Sequence, residues 1–461
     1  MTQTVKAIRG TRDLLPPETA LWAYVEATAR AVFARYGFGE IRTPIFEATD
    51  LFARGVGEQT DIVSKEMYTW EDRARAQSEK PQSLTLRPEN TAGVVRAYIE
   101  HKLDQTGHLQ KLFYIGPQFR RERPQRGRYR QFWQIGAEVI GPPTSGAESP
   151  VRDAEVLEML AALLNQLGVR NWQLQLNSVG SADDRRRYNA ALREALAPVK
   201  HLLGEDNQRR AETNPLRVLD SKDPGDQELI AGLPKIADFL ADDSRAHFEQ
   251  VRAALDACQV PYTVNPRLVR GLDYYTRTTF EFTIPASADP AGTGLGTQNA
   301  LLGGGRYDGL SEMLGGPRAP GIGFAIGEDR LILTLQAQHE ADRAGSSEEC
   351  PPERSGGHAS RSWAAAKLDA YVAPIGPAQN PAALALARDL RQAGLSVEVG
   401  DGSFKVGKSF TFADAVARHI ILLGEDELAT GVLTVKTFAT GAQTKIGRAD
   451  LFLLLKNSRG S

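Results

Sequence analysis

Two strand-like segments joined by an arginine-rich loop constrain the fold of this chain more than any other feature of its sequence. The segments cover residues 111–119 and 131–140, and the loop 120–130 carries six arginines in eleven residues. This pattern predicts an antiparallel pair with a long hairpin. Guanidinium groups packed so closely repel unless anions lie among them, and phosphate suits them because it accepts bidentate hydrogen bonds. A solvated surface loop is the alternative interpretation of such a run.

The second strand of this pair has two different faces, because successive strand residues point to opposite sides. The apolar face comprises Trp133, Ile135, Ala137 and Val139, and the other face comprises Phe132, Gln134, Gly136 and Glu138. A glycine that leaves a gap between Gln134 and Glu138, beside the arginine loop, predicts the floor of a polar pocket. An ordinary solvent-facing strand side is the alternative.

The first 337 residues are predicted to form one core with a helical insertion. Residues 17–36 have the apolar spacing of an amphipathic helix, and residues 37–44 form a glycine-punctuated strand that ends at a proline. Residues 178–255 are rich in Arg, Asp, Glu, Ala and Leu, which predicts a mostly helical insertion. Strand-like sequence returns at 267–284.

The last part of the chain is predicted to be a separate α/β domain. Residues 338–367 are rich in Ser, Gly, Glu, Arg and Pro without an apolar period, which is typical of a linker. In the following segment, 368–461, short apolar runs alternate with helical patterns. The apolar runs are 368–373, 395–399 and 419–423, and the helical patterns are 381–393 and 411–418.

Composition excludes several classes of protein. Fifty-five basic residues oppose fifty-seven acidic ones, so any nucleic-acid partner must be met by local patches. The only cysteines, Cys258 and Cys350, exclude a disulfide scaffold and a cysteine-based zinc site, and they fit a reducing cytosol. The N-terminus lacks the apolar core of a signal peptide, and the apolar runs are too short to span a bilayer. We therefore expect a cytoplasmic protein with no membrane partner.

The run from Phe119 to Phe132 resembles the second signature motif of class II aminoacyl-tRNA synthetases, and is close to the histidyl version. The resemblance implies an α+β catalytic core on an antiparallel sheet with flanking helices, a helical insertion and a C-terminal α/β anticodon-binding domain. In that family the first arginine binds the α-phosphate of ATP, the next glutamate contacts adenine, and the phenylalanine stacks on the base. These roles fall on Arg120, Glu122 and Phe132.

Three further segments fit the same family. Residues 37–44 resemble the first class motif, a dimer-interface element, which implies a homodimer. Gly321 to Arg330 resembles the third motif, whose arginine binds the γ-phosphate. Thr85 to Thr91 resembles the amino-acid loop, although Pro88 and Glu89 also suit the first turn of a helix, and we expect both interpretations to hold.

Two segments narrow the resemblance to the histidyl members. They are Arg270–Thr278 and Gly303–Leu310, which are similar to the two histidine-specific motifs of the family. The resemblance places Arg270 beside the α-phosphate and the histidine carboxylate, and implies catalytic roles for Arg270 and Arg120. It implies that glycines 303–305 let the backbone approach the substrate. A surface turn is the alternative interpretation of three consecutive glycines. The histidine-binding positions that it implies are Glu89, Thr91, Arg120, Gln134, Glu138, Arg270, Tyr274, Tyr275 and Tyr307.

The implied reaction is activation of histidine with ATP and Mg²⁺, followed by transfer to tRNA(His). No protein-held metal site and no tightly bound organic cofactor are expected. Arg123 and Gln125, at the loop tip, would meet the acceptor end of the tRNA. The alternatives are the regulatory subunit of ATP phosphoribosyltransferase, which lacks the anticodon domain, and a synthetase for threonine, proline or glycine.

The departures from the family pattern are few. Asn90 stands where glycine is usual, and this change could reshape the amino-acid loop. Trp133 stands where histidine is frequent, and Glu328 stands where an apolar residue is usual, while Asp329 keeps the acidic position of the third motif. The predicted linker is also longer than is typical.

Overall fold

The computed structural model describes residues 4–57, 60–72, 81–221, 223–285, 300–345 and 367–458. They belong to two compact units, Met1–Arg361 and Ser362–Ser461. Most of the predicted linker, like Cys350, lies outside the described residues. Within the described ranges, no helix combines the length and the apolar character needed to cross a membrane.

The first unit is built on an eight-stranded sheet and a smaller sheet of three strands. Its strands are β1 (Gly39–Glu40), β2 (Phe46–Ala48), β3 (Tyr68–Asp72), β4 (Gln82–Leu86), β5 (Gln110–Phe119), β6 (Gln131–Ile140), β7 (Gln173–Ser178), β8 (Tyr262–Val264), β9 (Thr276–Thr283), β10 (Ala300–Arg306) and β11 (Gly321–Gly327). The large sheet has the order β1-β5-β6-β11-β10-β9-β7-β8, and the small one has the order β2-β4-β3. Among the strands of the described residues, the outermost pairs of the large sheet, β1–β5 and β7–β8, are the parallel ones.

The helices of the first unit flank these sheets. They are α1 (Glu18–Arg35), α2 (Thr49–Val56), α3 (Thr91–Glu100), α4 (Pro150–Leu167), α5 (Ala182–Leu196), α6 (Glu205–Thr213), α7 (Gln227–Ala231), α8 (Asp242–Ala257), α9 (Leu310–Met313) and α10 (Glu328–Gly345). Helices α5 to α8 lie between β7 and β8, which confirms the helical insertion.

Helix α1 forms where its apolar spacing predicts. Leu21, Val25 and Val32 recur on one side and are buried, so the helix covers the core with one stripe. It ends at Arg35 with Tyr36 as its cap residue, and Gly37 follows with φ +78°, a left-handed conformation that glycine adopts without strain.

The predicted hairpin is present, with Gln110 opposite Ile140 and Phe119 opposite Gln131. The glycine-punctuated strand at 37–44 is shorter than predicted and consists of Gly39 and Glu40 alone. The strand predicted at 267–284 begins only at Thr276, because the preceding motif residues form a loop along the cavity described below.

Helix α10 extends into the interval predicted as a linker. It continues to Gly345, so the predicted boundary at residue 338 falls inside a helix. Leu331 and Leu335 bury one side of this helix. The Gln, Ala, Glu and Arg residues that follow have good helix propensity, which lets the helix continue without an apolar stripe.

The second unit has a five-stranded sheet of order β13-β12-β14-β15-β16. The strands are β12 (Leu368–Pro374), β13 (Val397–Val399), β14 (Ala417–Leu423), β15 (Val432–Thr437) and β16 (Gln443–Gly447), and the helices are α11 (Asn380–Gln392), α12 (Val406–Val416), α13 (Glu425–Thr430) and α14 (Arg448–Asn457). The first three strands of the order are parallel, and β15 and β16 add antiparallel pairs. Its buried apolar cluster, which includes Val372, Leu390, Ile421 and Leu451, forms a core of its own.

Candidate active site

A cavity of about 1280 Å³ opens over the middle of the large sheet. Sites for one small molecule commonly measure about 300–1,000 Å³, so this cavity has room for more than one ligand. Eleven residues predicted from the sequence line it: Glu89, Thr91, Arg120, Glu122, Phe132, Gln134, Arg270, Tyr274, Tyr275, Tyr307 and Arg330. The strand order brings them together, because β6, β11, β10 and β9 are neighbours in the sheet.

Arg120 is held at the cavity wall by the hairpin. Its backbone N–H donates to the Arg130 carbonyl at 2.9 Å, and its Nε donates to the Pro88 carbonyl at 2.9 Å. The guanidinium carbon lies 5.1 Å from the centre of the Phe132 ring. A cation and an aromatic face are therefore presented side by side, an arrangement suited to a phosphate and an adjoining base.

Some of the other side chains of the arginine loop line the cavity, and others are exposed to solvent. Arg128 donates to Glu122 at 3.2 Å, and both side chains line the cavity. Arg123 and Gln125 are exposed at the tip and do not line it. Gln125 and Arg128 exchange backbone hydrogen bonds of 3.1 and 2.9 Å, which close the tip into a tight turn.

Glu89 lies at a helix start, as predicted, and also on the cavity wall. Its carboxylate accepts from the backbone N–H groups of Thr91 at 2.7 Å and Ala92 at 3.0 Å, at the start of α3. The same residue lines the cavity. Burial raises the pKa of this carboxyl above its usual value, while the helix N–H groups oppose the shift.

Glu138 lies just beneath the cavity rather than in its lining. It is fully buried, and its two carboxylate oxygens accept from the hydroxyls of Thr91 at 2.8 Å and Tyr307 at 2.7 Å. Burial raises the pKa of Glu138 to about 8, although these hydroxyls favour the charged form. Gly323 is opposite Glu138 in the next strand, and any side chain there would collide with the carboxylate.

The predicted gap at Gly136 is filled, so this part of the pocket prediction was wrong. Tyr114 pairs with Gly136 across the hairpin, and a Cβ at Gly136 would collide with the Tyr114 phenol. Tyr114 lines the cavity, and its hydroxyl is buried. Tyr114 was not predicted from the sequence, although the register of the predicted hairpin places it opposite the glycine.

Arg270 is in the loop before β9, and its guanidinium lies against Gly303 of β10. It forms an ion pair with Glu281, a cavity residue that the sequence analysis also missed. Burial alone would lower the pKa of Arg270, but Glu281 and Tyr275 offset it and the pKa lies above its usual value. Arg270 is thereby kept as a cation inside the cavity.

The three glycines 303–305 are in strand β10, so the surface-turn alternative is wrong. A Cβ at Gly303 would lie within about 2.6 Å of the Arg270 guanidinium, and one at Gly304 would collide with the Gly323 carbonyl. A Cβ at Gly305 would lie 2.7 Å from the Tyr275 ring. The glycines make room for protein groups, and Gly303 alone of the three lines the cavity.

Three tyrosines form one aromatic corner of the cavity. The ring centres of Tyr274 and Tyr275 are 4.7 Å apart, and Tyr274 meets Tyr307 edge to face at 5.9 Å. Since Tyr307 also donates to Glu138, this corner offers ring faces together with a carboxyl and hydroxyls. A flat heterocycle with ring nitrogens fits such a mixture.

The third predicted arginine reaches the cavity from α10. Arg330 Nη1 donates to the Ala300 carbonyl at 2.9 Å, and burial lowers the pKa of Arg330, with Arg128 contributing in the same direction. The preceding Asp329 accepts from the Trp133 backbone N–H at 3.2 Å. Glu328 is fully buried, and neither of its oxygens has a hydrogen-bond partner among the described residues.

Asn90 fits the amino-acid loop without strain. Its φ of −120° is open to any residue, so the loop does not need the usual glycine. Its side-chain oxygen accepts from the Thr43 hydroxyl at 2.6 Å, which ties the loop to the segment before β2.

The antiparallel sheet, the arginine hairpin over its cavity and the separate α/β unit together define a class II aminoacyl-tRNA synthetase. A family model described as histidyl-tRNA synthetase matches residues 10–331, and one described as an anticodon binding domain matches residues 369–458. The chain belongs to the histidyl-tRNA synthetase family. Its activity is that of a histidine–tRNA ligase.

Relatives of known sequence and structure agree over almost the whole length. A histidine–tRNA ligase of Koribacter versatilis (strain Ellin345) is 62% identical over 454 residues, covering 98% of this chain and 96% of the relative. One of Solibacter usitatus (strain Ellin6076) is 49% identical and covers 97% of this chain and 98% of the relative. The apo histidyl-tRNA synthetase structure from S. aureus is 36% identical, with a TM-score of 0.74, and covers 98% of this chain and 100% of that one.

Proposed function

We propose that the cavity holds histidine and ATP side by side, and that Arg120 and Arg270 stabilise the α-phosphate while the histidine carboxylate attacks it. A carboxylate oxygen bonds to the α-phosphorus, and the bond to pyrophosphate breaks. The terminal ribose hydroxyl of tRNA(His) then attacks the histidyl carbonyl, and AMP leaves. The observation that carries this proposal is the convergence of Arg120, Arg270 and Arg330 on one cavity, beside the Glu138–Tyr307 corner.

The arginines act mainly by position and charge. The attacking group is already a carboxylate, so no general base is needed for the first step. Catalysis then depends on alignment of the reactants and on the positively charged arginines, which stabilise the negative charge of the phosphates. In this assignment Glu122 and Phe132 hold adenine, and Arg330 holds the γ-phosphate.

The histidine ring occupies the aromatic corner. Imidazole carries both a donor and an acceptor nitrogen, so a selective site must fix partners of both kinds. Glu138, Gln134, Tyr275 and Tyr307 supply that mixture, with Tyr274 behind them. Glu89 and Thr91 face the polar end of the amino acid, and the site rejects analogues that leave these buried groups unpaired.

Mg²⁺ would arrive with the phosphates of ATP. Magnesium is commonly bound by one or two protein carboxylates together with substrate phosphates. Glu281 is a carboxylate of the cavity lining that suits this role. Among the described residues, no group of three or more His, Cys, Asp or Glu side chains forms a metal site of its own. The ion would supply charge neutralisation at the outer phosphates.

The tRNA is assigned to two surfaces. Arg123 and Gln125 are exposed at the hairpin tip, beyond the cavity, and meet the acceptor end. The second unit contains the segment that matches the anticodon-binding family, and it binds the anticodon.

Ending the chain at Arg361 is expected to spare pyrophosphate exchange and to raise the tRNA KM, because the cavity residues all precede that point. Loss of exchange and of the dimer together would show instead that the second unit is structural.

A homodimer in the cytoplasm completes the proposal. Beside the motif at 37–44, Ile45 and the small-sheet residues Phe46 and Trp70 are 40–54% exposed. Phe46 and Trp70 form an edge contact at 6.1 Å. Such a patch suits contact with a second copy, and the charging of tRNA belongs with translation in the cytoplasm. Phe46→Arg is expected to reduce the dimer in size-exclusion chromatography, and an unchanged dimer would contradict this assignment.

The reaction is tested by exchange of pyrophosphate into ATP. Exchange is expected with histidine and not with threonine, proline or glycine at equal concentration. Absence of exchange would refute the enzyme assignment, and exchange with another amino acid would refute the specificity. Charging of tRNA(His) by the same preparation tests the second step.

A further inference from the structure

The N-terminal segment before α1 lies against the arginine hairpin. The Arg130 backbone N–H donates to the Gly10 carbonyl at 2.7 Å, and Arg130 Nη1 donates to the Arg9 carbonyl at 3.2 Å. Gly10 has φ +91°, and a Cβ there would lie 2.8 Å from Pro124 and 2.9 Å from Arg130. The close approach and the left-handed backbone both require glycine, so the segment is fitted to this hairpin.

Arg12 extends the contact from the hairpin to the third motif. Its Nη2 donates to Asp329 Oδ1 at 3.0 Å, and its Nη1 donates to Glu18 at 2.9 Å. Its guanidinium carbon lies 4.7 Å from the centre of the ring of Tyr129, a residue of the hairpin loop. In the sequence, Tyr129 stands between two arginines of that loop. The other oxygen of Asp329 accepts from the Trp133 backbone N–H at 3.2 Å.

Arg12 and its partner Asp329 together join three elements around the cavity. Tyr129 belongs to the hairpin loop, Trp133 to β6, and Asp329 to the first turn of α10, where it immediately precedes Arg330. The Asp329 side chain is only 6% exposed, so its charge-assisted hydrogen bond is stronger than one between two surface groups. Arg12 itself does not line the cavity.

We propose that Arg12 is a positioning residue that sets the spacing between the arginine hairpin and Arg330, and thereby controls ATP binding without touching ATP. The inference rests on the proposed phosphate roles of Arg120 and Arg330. Loss of Arg12 removes the link between the start of α10 and the hairpin loop and leaves only the Trp133–Asp329 hydrogen bond. The distance between Arg120 and Arg330 is then less well fixed. Misplacement of such ligands by about 1 Å can reduce a rate on the order of a hundredfold.

The test is pyrophosphate exchange by Arg12→Met, with the two substrates varied separately. The ATP KM is expected to rise about tenfold or more, while the histidine KM changes less than about twofold, because the histidine corner is built from other elements. Arg12→Lys restores part of the loss, since lysine keeps the charge but lacks the fork that bridges Glu18 and Asp329. Glu18→Gln is the matched control. It removes the other partner of Arg12 and is expected to leave the ATP KM near the wild-type value.

A merely structural role gives a different pattern. If Arg12 only stabilises the fold, Arg12→Met lowers the melting temperature and either leaves both KM values unchanged or raises them equally, and the inference is overturned. If Arg12 acts through Asp329, its substitution has little further effect in an Asp329→Asn background, because effects of coupled residues are not additive. Full additivity of the two substitutions contradicts the inference.

Arg330→Ala separates this inference from the proposed function. If that variant keeps the wild-type ATP KM, the phosphate role of Arg330 is wrong, and the proposed route from Arg12 to ATP is wrong with it. If its ATP KM rises while that of Arg12→Met does not, the proposed function stands and the inference alone is overturned.

Discussion

Two buried carboxyl groups of the first unit have very different surroundings. Glu138, beneath the cavity, accepts hydrogen bonds from two hydroxyls. Glu328, at the start of α10, is equally buried and has no hydrogen-bond partner among the described residues. Burial raises the pKa of Glu138 to about 8 and that of Glu328 to about 9, where Glu26 and Asp329 add to the shift.

Glu138 is a carboxyl held by two hydrogen bonds beneath the cavity, whereas Glu328 is a carboxyl whose burial lowers the stability of the fold. A buried polar group without a partner destabilises the folded state, whereas a partnered one can be kept in a defined orientation. Glu138 is surrounded by residues that also line the cavity. Glu328 occupies a position where the family usually has an apolar residue, and nothing in the structure explains the carboxyl there.

Arg270→Ala is expected to have the largest effect, and it tests whether the charged groups of the cavity act in catalysis. Pyrophosphate exchange should fall by about 10²–10³-fold, since loss of one group that stabilises transition-state charge typically has this effect. Glu281, its partner, is partly exposed, so the fold should survive. Circular dichroism checks the fold, and near-normal exchange by the folded variant would contradict the catalytic role.

Glu138→Ala is expected to raise the histidine KM by about ten- to a hundredfold in the exchange assay, because the variant leaves buried hydroxyls and the imidazole without their partner. The ATP KM should change little. Glu328→Ala serves as the matched control: it also removes a buried carboxyl, and both of its KM values should stay near wild type. If the ATP and histidine KM values of Glu138→Ala rise together, Glu138 does not determine specificity.

Glu328→Leu is expected to stabilise the protein, in contrast to any change at Glu138. The folded-state pKa of about 9 lies above the ordinary value of 4.5, so the folded state prefers the neutral acid. Wild-type stability therefore falls as pH rises from about 4.5 to 9, and the variant lacks this contribution. At pH 8 the free energy of unfolding should increase by roughly 2–4 kcal/mol.

Urea unfolding at pH 5 and pH 8 measures this difference. The gain of Glu328→Leu over wild type should be larger at pH 8 than at pH 5. An equal gain at both values would show that apolar packing, and not ionisation, is responsible.

Gln125→Ala is expected to have the smallest effect, because the side chain is exposed and lies neither at the cavity nor in the buried surroundings of Glu328. Aminoacylation of tRNA(His) should slow by a few-fold, a loss comparable to one modest hydrogen bond of about 1 kcal/mol. Pyrophosphate exchange should be unchanged. An equal loss in both assays would place Gln125 in the ATP site.

The sequence predicts those parts of the site that depend on local pattern. The hairpin, the helix start at Glu89 and the polar face of β6 follow from turn residues and strand alternation, so they could be placed before the fold was known. Residues from distant segments could be assembled only through the resemblance, since periodicity gives no information about which strands are neighbours.

What the sequence did not predict depends on tertiary packing. Tyr114 fills the space at Gly136 only because the register of β5 and β6 puts them opposite each other. The glycines of β10 face Arg270, β11 and Tyr275, and these contacts join separate segments. The small sheet was missed as well, because its strands are short and β2 has only three residues.

The order of strands also affects how the chain folds during synthesis. Strand β6 pairs with β11, and the register joins Ile140 to Gly321. At the usual elongation rate of about 5–20 residues per second, the inner edge of the β5–β6 hairpin waits on the order of ten seconds or more for its partner. An unpaired edge is a site of aggregation. A nascent chain arrested before β11 therefore exposes an open sheet edge and is prone to aggregation.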